Sequence, residues 1–201
     1  MLEPSSKVER SVAEAPRRAR MLEHRAHRRC FAVLGTLALA ASGTAIAGGL
    51  GVGSTLALGS LGVLTWTLVE YVLHRFAFHL PRSHPLSVLG ARQHLDHHDA
   101  PSRQPISKPL QLTVPAIVLG VAALWQLGGA AGLAVGGGLV AGYLGYELLH
   151  VAAHVLVRDH PLPALQRWHL EHHRDARHGF GITSPLWDVV LRTRHRRRPP
   201  S

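Results

Sequence analysis

Two long stretches without a charged side chain limit what this chain can fold into. The first runs from Cys30 to Val69 and the second from Pro109 to Tyr146, and both are rich in Leu, Val, Ala and Gly. Each is about twice the ~20 residues that a helix needs to cross the hydrocarbon core of a bilayer. A soluble domain rarely keeps so long a run free of charge, so a buried soluble hairpin is the weaker alternative. Each stretch is therefore predicted to form a transmembrane hairpin of two helices.

The predicted protein is an all-α integral membrane four-helix bundle. Turns are expected in the Gly-rich segment 47–54 and near Gly128-Gly129. The four spans are predicted at about residues 31–50, 55–73, 110–127 and 130–149, inside a membrane domain that covers 30–193. A basic N-terminal segment, 1–29, and an Arg-rich tail, 194–201, are predicted to flank this domain.

The distribution of positive charge predicts how the bundle is oriented. The chain has 22 Lys and Arg residues and a formal net charge of +10, which would also suit a nucleic-acid-binding protein. However, all the basic residues lie in 1–29, 75–108 and 158–198, and the hairpin turns contain none. By the positive-inside rule, both termini and the middle segment are cytoplasmic. A multi-pass membrane protein is therefore expected, with the lipid bilayer and no nucleic acid as its partner.

Ten of the 16 histidines form four spaced groups that begin where the apolar runs end. The groups are His74 and His79; His94, His97 and His98; His150 and His154; and His169, His172 and His173. In each H-x-x-H-H run, the first, fourth and fifth residues are predicted to share one helical face, which gives half of a metal site. His74 and His79 are five residues apart, so a distorted helix end or a turn is expected between them.

The number of histidines indicates two metal ions. Imidazole binds Fe, Zn, Cu and Ni, and ten nitrogen ligands exceed the needs of one tetrahedral zinc. No H-E-x-x-H motif of a zinc protease occurs. A carboxylate-bridged di-iron bundle needs about four inward Glu residues, whereas the spans contain only Glu70 and Glu147. These two are instead predicted to accept hydrogen bonds from ligand histidines, with Asp96, Asp99, Glu171 and Asp175 as weaker candidates.

The four histidine groups, in this order over about residues 66–193, resemble the membrane-bound fatty acid hydroxylase and sterol desaturase superfamily. The stretches Glu70–His79 and Gly179–Asp188 are most similar to its fatty acid 2-hydroxylase branch. The resemblance implies a histidine-rich helical cap on the cytoplasmic side, with the ten histidines as ligands of two iron ions (zinc being the alternative in isolated protein). It also implies an O2-dependent monooxygenase that hydroxylates a C–H bond of a lipid substrate.

Some points remain open beside this resemblance. No cytochrome b5-like domain is recognised in the sequence, so a separate electron donor, cytochrome b5-like or ferredoxin-like, is expected. His178 is an additional histidine, and three roles are open for it: an eleventh ligand, an outer hydrogen-bond donor or a surface residue. A fatty acyl substrate is expected, with carotenoid or sterol-like substrates as alternatives. A membrane metal-binding or transport protein is the alternative of another class, but the apolar runs lack the mid-bilayer polar ligands of a transporter.

Overall fold

The computed structural model describes residues 25–101, 106–107, 109–155 and 163–195, and every regular element in these ranges is helical. Most of the predicted N-terminal segment, residues 1–24, and the end of the Arg-rich tail, residues 196–201, lie outside the described residues. The α-helices are α1 (Arg25–Ala47), α2 (Val52–Leu73), α3 (Ala91–Asp99), α4 (Leu110–Val155), α5 (Pro163–Arg174) and α6 (Leu186–Val190). A π-helical turn (His74–Phe78) follows α2, and a 3-10 turn (Pro85–Leu89) precedes α3.

Three helices of the described chain are long and apolar enough to cross a membrane: α1, α2 with its π turn, and α4. The third contains a reversal, because Gly129 has φ 55° and ψ −134°, outside the helical region. A left-handed φ of this kind favours glycine. Beyond the reversal, Gly136 lies against Val121 and Leu124. The chain therefore folds back on itself at the turn predicted near Gly128-Gly129.

Small residues let α4 pack closely against α1 and α2. A Cβ atom at Gly138 would overlap the backbone of Gly59 on α2, and one at Gly142 would overlap Trp66. Glycine and alanine commonly allow such close backbone contact between membrane helices. This packing brings the C-terminal ends of α2 and α4 side by side, and each of those ends carries a histidine pair.

Candidate metal centre

The structure gathers ten histidines into two groups at the ends of α2 and α4. In each group, one ring nitrogen from each histidine lies within 4.8 Å of the corresponding nitrogens of the other four. The first group contains His74, His79, His94, His98 and His172, and the second group contains His97, His150, His154, His169 and His173. All ten histidines that the sequence analysis singled out are thus brought together.

Each H-x-x-H-H run is divided between the two groups. On α3, His94 and His98 belong to the first group, whereas His97 belongs to the second. On α5 the division is reversed, and only His172 reaches the first group. Neighbouring helical residues point about 100° apart, so His97 and His98 diverge although they are adjacent in sequence. The prediction that all three imidazoles of a run serve one half-site is therefore wrong.

The expected distortion between His74 and His79 is a π-helical turn. The α-helix ends at Leu73, and His74–Phe78 forms a wider turn. Hydrogen bonding in a π-helix runs from residue i to i+5, which brings residues five apart to the same side. Both rings therefore face the first group, and their centroids lie 5.1 Å apart.

The spacing of the ring nitrogens matches that of ligands around one metal ion. Two nitrogens bound at ~2.1 Å lie ~3.0 Å apart at a right angle and ~3.4 Å apart at the tetrahedral angle. In the first group, His94 Nε2 lies 3.0 Å from His74 Nε2 and 3.1 Å from His98 Nε2. In the second, His154 Nε2 lies 2.8 Å from His169 Nε2. These separations lie in the range expected for nitrogens that bind one metal ion.

The two groups adjoin each other. The ring of His98, from the first group, stacks on the ring of His173, from the second, with centroids 4.1 Å apart and an angle of 13° between the planes. The ring of His172, from the first group, also lies 6.2 Å from that of His169, from the second. The groups thus form one continuous centre that fits two neighbouring metal ions.

Burial keeps the imidazoles of α5 neutral. The pKa of His172 is lowered to about 3, mainly because burial penalises the charged ring, and the nearby ring of His79 adds to this effect. Burial also lowers the pKa values of His169 and His173. A neutral imidazole offers the lone pair that a metal ligand needs, so these residues are ready for binding at neutral pH.

Two main-chain carbonyl groups fix the tautomers of two histidines in the first group. His74 Nδ1 donates to the carbonyl oxygen of Phe180 at 2.5 Å, and His172 Nδ1 donates to that of His178 at 2.7 Å. A carbonyl oxygen only accepts, so each Nδ1 carries the hydrogen. Each Nε2 therefore keeps its lone pair directed into the first group, which is the arrangement that metal-binding histidines commonly adopt.

His150 gives an independent indication in the second group. Its ring is 1% exposed, and neither ring nitrogen has a hydrogen-bond partner within the part of the chain that the structure describes. A buried polar atom without a partner costs about 1–3 kcal/mol. A metal ion bound by one of these nitrogens would remove that cost at this atom, so the second group also fits a metal.

Glu70 supports the metal centre indirectly. The carboxylate is buried and accepts hydrogen bonds from the backbone N–H groups of Ile182 and Thr183 and from the hydroxyl of Thr183. The structure thus joins Glu70 to the segment that follows Phe180, whose carbonyl group holds His74. Glu147 is fully buried on α4, three residues before His150.

The ring of His178 lies outside both groups. Its Nδ1 atom is 3.1 Å from a carboxylate oxygen of Asp175, and the side chain is 34% exposed. It is the main-chain carbonyl of His178, rather than its ring, that contacts a histidine of the first group. Two of the weaker candidates, Asp96 and Asp99, form surface ion pairs with Arg82.

Asp188 is a buried carboxylate that was not among the residues predicted from the sequence. This residue is fully buried on α6 and accepts hydrogen bonds from the backbone N–H groups of Phe180 and Gly181. The available signal was a single carboxylate within the otherwise uncharged segment 179–191. A buried carboxylate needs several donors, so its position within such a segment indicates a local binding partner.

Residues 59–193 match the model of the fatty acid hydroxylase family. The ceramide very long chain fatty acid hydroxylase scs7 of Schizosaccharomyces pombe is 36% identical over 141 residues, covering 66% of this chain and 41% of that protein. The dihydroceramide fatty acyl 2-hydroxylase FAH2 of Arabidopsis thaliana is 37% identical and covers 67% of this chain and 59% of that protein. The fatty acid 2-hydroxylase of Homo sapiens is 35% identical and covers 66% and 38%, respectively. This chain thus spans between 38% and 59% of the length of these three relatives.

The fold is similar to that of a solved relative. A structure of full-length scs7p, in which only the hydroxylase domain is visible, aligns with a TM-score of 0.69 and 29% sequence identity. The alignment covers 80% of this chain and 63% of the other. Family match, relatives and fold agree with the histidine centre, and the chain belongs to the fatty acid hydroxylase family.

Proposed function

We propose that the protein is a membrane-bound monooxygenase that uses two iron ions and O2 to hydroxylate a C–H bond of a lipid fatty acyl chain. The observation that carries this proposal is the pair of adjoining five-histidine groups at the ends of apolar helices, in a member of the fatty acid hydroxylase family. The three relatives described above are named for fatty acyl or ceramide hydroxylation, which favours a fatty acyl substrate over carotenoid or sterol-like alternatives.

The chemistry favours iron over zinc as the functional metal. An unactivated C–H bond is not oxidised by acid–base catalysis, and zinc has no redox chemistry. When bound, two iron ions supply the reductive activation of O2 that the reaction requires. Electrons are proposed to come from a cytochrome b5-like or ferredoxin-like donor. Zinc remains an expected contaminant of isolated protein, because imidazole also binds it well.

The residues of the chain hold the centre and orient it. The ten histidines are proposed as the metal ligands, five to each ion. The carbonyl groups of Phe180 and His178 hold the rings of His74 and His172 in the tautomer that binds metal. The buried helix ends exclude water from most of the centre, which protects a reactive oxidant from side reactions.

The proposed topology places this centre at the cytoplasmic face. The reversal at Gly129 divides α4 into two segments, which together with α1 and α2 would give four spans within a membrane domain of residues 30–193. The histidine-bearing helices α3 and α5 would then form the cytoplasmic cap. The absence of Arg and Lys from both hairpin turns, with all 22 in residues 1–29, 75–108 and 158–198, supports cytoplasmic termini.

Lipid analysis of expressed variants tests the proposal. The wild type, His172→Ala and His178→Ala would be expressed in a host that lacks 2-hydroxylated lipids, and the fatty acids analysed by mass spectrometry under 18O2. His178→Ala is the matched control, because it removes an imidazole that lies outside both groups and leaves the main-chain carbonyl. We expect a fatty acid that carries one 18O atom with the wild type and His178→Ala, and none with His172→Ala. Iron-loaded wild type that forms no oxygenated lipid when given reductant and O2 would refute the proposal.

A further inference from the structure

One short segment supplies both carbonyl groups that hold histidines of the first group. This segment, residues 178–183, is called the carbonyl loop here. It presents the carbonyl of Phe180 to His74 and that of His178 to His172. In the second group, by contrast, the Nδ1 atoms of His150, His169 and His173 are buried without a hydrogen-bond partner among the described residues. The two groups therefore differ in how their imidazoles are supported.

Asp188 binds the carbonyl loop on the side opposite His74. Its Oδ1 atom accepts from Phe180 N at 2.9 Å, and its Oδ2 atom accepts from Gly181 N at 2.8 Å. The carbonyl of Phe180 and the N–H of Gly181 belong to one trans peptide unit, so they point in opposite directions. By binding that N–H, the carboxylate directs the carbonyl at the ring of His74.

The second peptide unit of the loop is held in the same manner. The N–H of Gly179 donates to the carbonyl oxygen of Thr193 at 2.9 Å, while the carbonyl of His178 on the other side of that unit accepts from His172. Gly179 has φ 73°, and a Cβ atom there would overlap the ring of His195, so the loop requires glycine at this position.

A hydrogen-bond chain then fixes the carboxylate. Thr193 Oγ1 donates to Asp188 Oδ1 at 2.8 Å, and it also lies 2.9 Å from the hydroxyl of Tyr71. That hydroxyl accepts from Arg75 Nη1 at 2.7 Å. Hydrogen bonds in a buried chain strengthen one another, and a buried carboxylate with three donors is held far more firmly than a surface one.

We propose that Asp188 is a positioning residue for the metal held by the first group, and that it makes the two metal positions unequal. This inference rests on the proposed function only in taking the histidine groups as metal ligands. A carboxylate on the far side of the peptide unit makes the Phe180 carbonyl a stronger acceptor. His74 thereby becomes a better aligned and more electron-rich ligand, whereas Nδ1 of His150, His169 and His173 in the second group has no such partner among the described residues.

Two backgrounds allow each metal position to be measured alone. With His150→Ala the second group is impaired and Fe2+ binding reports the first position, whereas with His74→Ala it reports the second. Asp188→Asn would be added to each background, because the amide keeps one acceptor oxygen but turns an NH2 group towards a peptide N–H. Affinity for Fe2+ would be measured anaerobically by chelator competition, and thermal unfolding of the metal-free proteins would test folding.

We expect Asp188→Asn to weaken Fe2+ binding about 10-fold in the His150→Ala background, the lower end of the range for the loss of a direct outer partner, because Asp188 acts on His74 through the Phe180 carbonyl. Binding in the His74→Ala background is expected to be unchanged within about twofold. The matched control is Trp187→Phe, which removes the hydrogen bond from Trp187 Nε1 to Thr67 that docks the same helix. It is expected to leave the first position intact.

Parallel weakening of both positions, or equal weakening by Trp187→Phe, would show a general structural role and overturn the proposal. No weakening in either background would overturn it as well. If Asp188→Asn does not fold, Thr193→Val replaces it, because this change removes one hydrogen-bond donor to the carboxylate. It should weaken Fe2+ binding at the first position only, and to a smaller extent. Wild-type protein that binds two irons but hydroxylates no lipid would contradict the proposed function while leaving the Asp188 result readable.

Discussion

Replacing His97 and replacing its neighbour His98 are expected to damage different metal positions. The structure assigns His97 to the second group and His98 to the first, so each substitution leaves one group with four histidines and the other with five. Loss of an outer partner alone weakens metal binding ~10- to 100-fold, and loss of a direct ligand should cost at least as much. The variants would be dialysed against a chelator that removes iron bound tenfold more weakly than in the wild type. Iron at the impaired position should then be lost, and about one iron per chain should remain in either variant.

Combination with His150→Ala separates the two assignments. His97→Ala with His150→Ala places both losses in the second group, so about one iron should remain, because the first group keeps all five of its histidines. His98→Ala with His150→Ala impairs both groups, so almost no iron should remain. The assay is iron per chain by elemental analysis after chelator dialysis, with His178→Ala as the matched control that keeps two. If both double variants lost iron to the same extent, the division of the H-x-x-H-H runs between the groups would be refuted.

Three further predictions concern stability, each measured by thermal unfolding in detergent. Gly138→Ala should destabilise the protein by about 1–3 kcal/mol, because its Cβ atom would overlap the backbone of Gly59. Gly120→Ala on the same helix, where nothing lies within 4 Å, is the control and should not destabilise it. Arg82→Ala removes only exposed ion pairs and should leave the midpoint unchanged. The metal-free protein should lose stability as the pH falls below about 6.5 towards 3. In this range His172 binds a proton in the unfolded chain but stays neutral when it is buried in the folded protein, because burial lowers its pKa to about 3.

Each of these predictions has an outcome that contradicts it. Equal stability of the Gly138 and Gly120 variants would show that the helices are not in close contact there. A large loss in Arg82→Ala would mean that its ion pairs are structural. Constant stability of the metal-free protein between pH 7.5 and 5 would show that the α5 histidines are not buried in a neutral state.

The local sequence was sufficient to predict the long apolar helices. The length of a charge-free run indicates how many helices it can form, and a pair of glycines within it indicates where the backbone can turn. The reversal at Gly129 was therefore predicted at the correct position. The spacing of His74 and His79 likewise predicted a distorted helix end, since five residues do not match an α-helical turn. The ten histidines could be singled out because their spacing is regular.

Only the tertiary structure decided how these histidines are divided. Spacing along a helix gives the angle between two side chains, but it does not say which neighbouring helix each side chain meets. The 100° between His97 and His98 becomes a division into two groups only because the ring of His97 meets the histidines at the end of α4, whereas the ring of His98 meets His79, directly after the π turn.

The supporting contacts depended on tertiary structure for the same reason. Glu70 was predicted to contact a histidine four residues away, yet it binds backbone groups more than 100 residues further along the chain. The carbonyl of Phe180 could not be singled out because a main-chain carbonyl occurs at every residue and has no sequence signature. Asp188 did have such a signature, as the single carboxylate of segment 179–191, but its backbone partners become visible only in the folded chain. The sequence by itself determined which side chains could bind metal and where the long apolar helices run. The folded chain decided which histidines lie together in one group, and which backbone groups Glu70 binds, because those contacts join residues that are distant in sequence.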